Sequence, residues 1–131
     1  MSSFERPLMI ASGISGFLAV ALGAFGAHGL KSRLADLPDG PQRLEWWHTG
    51  AQYQAVHTFA IALAAYLATR SSSSSPLVAG VAFIIGILIF SGSLYTMTLT
   101  GIRVLGAITP IGGVSLLVGW IAVIVTAWRM E

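Results

Sequence analysis

Four stretches free of Asp, Glu, Lys and Arg set the plan of this chain, at residues 8–30, 49–69, 77–99 and 104–128, with the formal charges held in the connections between them. At about 1.5 Å of rise per residue, each stretch is long enough as a helix to cross a hydrocarbon core of about 30 Å. The pattern predicts an all-α fold: an integral membrane bundle of four transmembrane helices, in one domain over residues 1–131.

The boundaries follow from local signals. Pro7 suits a first helical turn, where an amide hydrogen has no partner to lose. A secretory signal also begins with a cation before an apolar run, but the run from Leu8 exceeds the usual core of roughly 7–15 residues, so it is read as a span. Gly29 is placed as the cap of that helix, with His28 near the negative end of its dipole. Pro38-Asp-Gly-Pro41 marks turns in an ordered loop, Pro41 can start the second helix, and the amphipathic turn Arg43 to His48 lies at the interface with Trp46 and Trp47 at headgroup depth. Ser71 to Ser75 followed by Pro76 reads as a hairpin linker and helix start. Pro110 falls inside the last stretch, where a missing amide predicts a kinked or broken fourth helix.

Composition narrows the class. The chain is 55% hydrophobic and 9% charged, with a mean hydropathy of +0.79, which excludes a soluble domain of this size. Net charge is +2, yet the cations sit at the ends of different spans and form no patch, so nucleic acid is not a partner. Arg6, Arg70 and Arg129 on one side face Lys31, Arg33, Arg43 and Arg103 on the other, a balance that only slightly favours a cytoplasmic long loop. With no cysteine, disulfides, thiolate metal sites and thiol catalysis are excluded.

The chemistry concentrates in Arg43 to His57, which holds two of the three histidines, two of the four tryptophans, Gln52 and Gln54. Polar groups within a span must pair or face a wet recess. The third stretch runs back past the second, so Ser91, Ser93 and Tyr95 return to the depth of Tyr53, Gln54 and His57. The candidate polar recess therefore comprises His28, His48, Gln52, Tyr53, Gln54, His57, Ser91, Ser93, Tyr95, Thr109 and Pro110. Hydrogen bonding between helices is the structural alternative for the same residues. On a helical wheel Glu45, His48 and Gln52 share one side, while His57 falls roughly opposite.

Two metal arrangements have part of the residues they need. Glu45-Trp-Trp-His48 has the spacing of a di-iron half-site, but no second half-site is present. His28 and His57 offer imidazoles from two helices for a haem, at mismatched depths. No metal, cofactor or catalytic residue is assigned.

Small residues recur every fourth position at Ser15, Ala19, Gly23 and Ala27, a face that admits close helix approach either within the chain or between copies. Ala60, Ala64 and Ala68 make a second such face.

Gly23-Ala-Phe-Gly-Ala-His-Gly-Leu30, Trp47 with Tyr53-Gln54 and His57, Phe90-Ser-Gly-Ser-Leu-Tyr95, and Thr109-Pro-Ile-Gly-Gly113 with Gly119-Trp120 resemble the family known as domain of unknown function 423, which includes the eukaryotic transmembrane protein 256 group. The resemblance covers nearly the whole chain. It implies a small multi-pass protein of three or four helices, found in bacterial inner membranes and in eukaryotes, and carries no reaction.

The functional expectation is a non-enzymatic membrane protein, self-associating or an accessory subunit of a larger complex, whose certain partner is the lipid bilayer. A small transporter, channel or lipid-handling protein with a recess around His57, switched by that histidine's protonation, is the alternative. A haem-binding redox protein stands third.

Overall fold

The computed structural model describes residues 3–130, so the outermost residues of the expected single domain lie outside it. The described residues are almost wholly helical and contain no strand. α1 is Glu5–Phe25, followed by a π-helical segment Gly26–Leu30 and the short α2, Lys31–Leu34. α3 is Gly40–Arg70, α4 is Ser75–Thr100, a 3-10 turn covers Arg103–Ala107, and α5 is Thr109–Arg129.

Two boundaries differ from the sequence expectation. Gly29 caps nothing, because the helix runs on through Leu34. The indole nitrogen of Trp47 donates to the Leu22 carbonyl at 2.8 Å, and a side chain bonding into the backbone ladder is a common cause of a widened turn. Gly26 makes this possible, since a Cβ there would collide with the Trp47 ring. α3 starts at Gly40 with Pro41 in its first turn, as expected, and the interfacial turn continues into the span as one unbroken helix of 31 residues, about 46 Å long. Pro110 does not kink the fourth span. It stands in the first turn of α5, where it displaces no helical hydrogen bond, and the break falls between the 3-10 turn and Thr109.

Gly101 ends α4 with φ +72°, and its amide bonds the Met97 carbonyl at 2.7 Å, a left-handed stop that glycine adopts without a Cβ penalty. Prolines at 41, 76 and 110 open α3, α4 and α5 alike.

The helices stand in a row. α1 packs on α3, α3 on α4 and α4 on α5, while α3 and α5 meet at a narrow contact. The main core lies around Phe83, Ile61, Ala64, Ala79 and Leu116. Tight approach depends on missing side chains: a Cβ at Gly80 would strike Leu8, one at Gly86 Leu116, one at Gly112 the Phe90 backbone, and one at Gly119 the Phe83 ring. This is how helices associate in lipid, where dispersion contact replaces the hydrophobic drive.

Residues 5–34, 75–100 and 103–129 are each long and apolar enough to cross a membrane. α3 carries more polar groups but runs antiparallel along α1, with Trp47 at Leu22, Gln54 at Ser15 and Thr58 at Ser12, so it crosses with its neighbour. Counting about 20 residues, or about 30 Å, inward from Arg70 and Arg129 reaches Gly50 and Thr109. These positions mark the opposite membrane face.

Candidate functional site

One turn inside that face, α3 is tied to both neighbours. Gln54 is buried; its Nε2 donates to the Ser15 carbonyl on α1 at 3.0 Å, and its Oε1 accepts from the Tyr95 hydroxyl on α4 at 2.7 Å. A single amide thus bridges three helices. Below it Ser12 donates to the Thr58 carbonyl, and Thr58 Oγ1 donates to the Gln54 carbonyl while pairing with Ser15 Oγ at 2.6 Å. Ser91 donates to the Gly50 carbonyl at 2.7 Å, and Ser93 pairs with Thr109 at 2.6 Å. Every buried side-chain N and O among the described residues has a partner, as hydrocarbon surroundings demand.

His57 stands apart from this network, about 20 Å from Arg70 along the helix and so near mid-membrane. Its Nε2 accepts from the Trp120 indole at 3.1 Å, and its Nδ1 lies 2.7 Å from the Tyr53 carbonyl. Because the indole can only donate, the ring is the neutral tautomer with the proton on Nδ1. Phe83, Trp120 and Tyr53 surround it at centroid distances of 5.8, 5.9 and 6.0 Å. A second proton on Nε2 would face the indole donor, and neither nitrogen is free to ligate iron.

The expected recess is therefore divided. Gln54, Ser91 and Tyr95 lie together between α3 and α4, with Gln54 reaching α1. The Tyr53 ring packs tilted against Phe90 at 4.4 Å between centroids, and Ser93 with Thr109 ties α4 to the start of α5. His28, His48, Gln52 and Pro110 are exposed and join neither group. Among the described residues no three His, Asp or Glu side chains cluster as a metal site.

The small-residue face is divided too. Ser15 is engaged with Thr58, and Ala19 is half-buried, whereas a Cβ at Gly23 would have nothing within 4 Å and Ala27 is exposed. The ladder winds from α3 toward the bilayer as α1 ascends.

Beside the Gln54 bridge, α1 and α4 do not close. Between them runs a cleft of ≈ 380 Å³, extending from Ala11 to Leu22 along α1 and floored by Gln54 and Ile61 of α3. At the membrane surface Arg43 bonds Asp39 Oδ2 through Nε at 3.0 Å, and this bond holds the Asp39 carboxyl below the ordinary carboxylate range. Arg43 also reaches the Thr98 carbonyl, and Thr98 Oγ1 returns a bond to the Arg43 carbonyl at 2.9 Å.

Sequence reasoning missed the Trp120–His57 pair and the Trp47–Leu22 bond. The available signal was chemical: an indole N–H in hydrocarbon needs an acceptor, and His57 was the unassigned acceptor at that depth.

The family model described as protein of unknown function DUF423 matches residues 22–113. The UPF0382 membrane protein YwdK of Bacillus subtilis (strain 168) is 44% identical over 123 residues, covering 93% of this chain and 96% of that protein. The UPF0382 inner membrane protein YgdD of Escherichia coli (strain K12) is 41% identical over 127 residues, covering 97% and 93%. No solved structure matches.

Proposed function

The chain belongs to the DUF423 family of membrane proteins, and from that premise we propose that it is a non-enzymatic component of the inner membrane that self-associates through the outer flank of α1. One observation carries this reading. Glycine inside a helix is less stable than alanine by about 0.5–1 kcal/mol, so each such glycine needs a reason. Gly80, Gly86, Gly112 and Gly119 have theirs inside the chain, but Gly13 and Gly23 meet nothing within 4 Å of an added Cβ. With exposed Ala27 they leave α1 a shallow flank of small residues, of the kind a second helix seats against. The polar residues support the same reading. Gln54, Ser91, Tyr95 and Trp120 spend hydrogen bonds on holding helices together, and no nucleophile stands beside a base.

Disulfide trapping tests this in native membranes, because the chain has no cysteine of its own. Ala27→Cys is expected to give a crosslinked dimer on mild oxidation, and Ile124→Cys on the exposed outer face of α5 is not. Equal crosslinking at both positions, or none at Ala27→Cys, would count against the flank.

A further inference from the structure

The cleft between α1 and α4 lies on the other side of α1 from Gly23 and Ala27, and neither residue lines it. Ile14 and Leu18 form one wall, Ile84, Leu88 and Gly92 the other, and the Gln54 amide closes the floor. We infer that this cleft is a binding slot for one acyl chain of a bilayer glycerophospholipid, held lengthwise between α1 and α4 with its polar end toward the Tyr95 side.

Shape, chemistry and continuity support this occupant. From Ala11 to Leu22 the slot follows about three turns of helix, or about 16 Å. A volume of ≈ 380 Å³ over that length suits a single hydrocarbon chain, whereas a second helix about 10 Å across is too wide. The lining is nearly all apolar, and Gln54 has its bonds to Ser15 and Tyr95, so water finds too few partners there. An empty slot would forfeit the dispersion contacts of both walls. The walls are continuous with the lipid-facing surface: Ile14 is 58% exposed and Leu88 69% exposed, so a chain enters sideways from the bilayer without any opening of the bundle.

Gly92 is the second sign. It is the remaining mid-helix glycine whose added Cβ would meet nothing within 4 Å, and it faces the slot rather than another helix of this chain. A glycine there leaves room for something outside the chain to lie against the α4 backbone. Polar atoms at the floor lie one turn below the membrane face, so a chain seated with its carboxyl end at Tyr95 has its ester near headgroup depth.

The test uses the full chain in vesicles of phosphatidylethanolamine and phosphatidylglycerol doped with phosphatidylcholine bearing a diazirine on one acyl chain. Photolysis followed by peptide mass spectrometry is expected to place adducts mainly at residues 14–22 and 84–92. Gly92→Leu, whose Cβ meets nothing within 4 Å and whose longer side chain occupies the slot, is expected to lower these about tenfold while adducts at Val118 on α5 stay constant. Ala11→Phe, from the opposite wall, is expected to do the same. Labelling of the slot no heavier than Val118, slot labelling unchanged in both variants, or chain-to-chain adducts through the slot would each overturn the proposal. None of these outcomes depends on whether copies associate through Gly23.

Discussion

Gln54 joins three helices through one amide, and its removal should be felt at both ends. Gln54→Leu deletes the bonds to Ser15 and Tyr95. Measured interhelical hydrogen bonds in membranes run from about 0.6 to 2 kcal/mol each, so a loss of about 1–3 kcal/mol is expected in detergent-driven unfolding. Trp120→Phe leaves His57 Nε2 without its donor, and an orphaned buried acceptor costs about 1–3 kcal/mol. Replacing His57 by Phe as well should recover part of that loss, because both polar partners are then gone; strictly additive losses would show that the pair is not coupled. At the surface, the hydrogen bond from Arg43 lowers the Asp39 pKa. A depressed acid contributes stability above its ordinary range and loses it as pH falls through the folded value. The Asp39 side chain is part-exposed at the surface, where solvent screens the pair, so the effect is small: Asp39→Asn should be slightly less sensitive than wild type to acidification below pH about 4.

Among the helices, glycine positions separate into two kinds with opposite expected responses. Gly112→Ala places a Cβ against the Phe90 backbone, which cannot yield without parting α4 from α5, so a marked loss of folded protein is expected. Gly23→Ala and Gly92→Ala meet nothing within the chain and should raise monomer stability by about 0.5–1 kcal/mol through helix propensity; thermal melts of the three variants side by side check both directions. Which elements the sequence disclosed follows the same physics. The four charge-free stretches were legible because lipid imposes length and apolarity on a span. So was the start of α3, because Pro41 suits a first helical turn and the interfacial turn runs on from it into the span. Pro110 looked internal because its stretch carries no charge, and only the left-handed Gly101 and the 3-10 turn after it shift the helix start to Thr109. The divergence of His48 and His57 was visible at 100° per residue. The partners that each side of α3 meets were not, since they depend on α1 and α5 lying on different sides of it.

At the scale of the molecule, four helices in a row leave more surface to lipid than a closed square would. α1 is held chiefly by α3, with a slot on one side and uncovered glycines on the other. On the reading proposed above, these are the two places where the membrane environment completes the packing, another copy on the Gly23 flank and an acyl chain beside Gly92. The most direct test of self-association is subunit counting by single-molecule photobleaching, with wild type and Gly23→Leu each captured in native-membrane nanodiscs. Two or more copies per wild-type disc and a single copy for Gly23→Leu, with the variant folded, is the expected result. A single copy in wild-type discs, or equal counts for the two proteins, would contradict it.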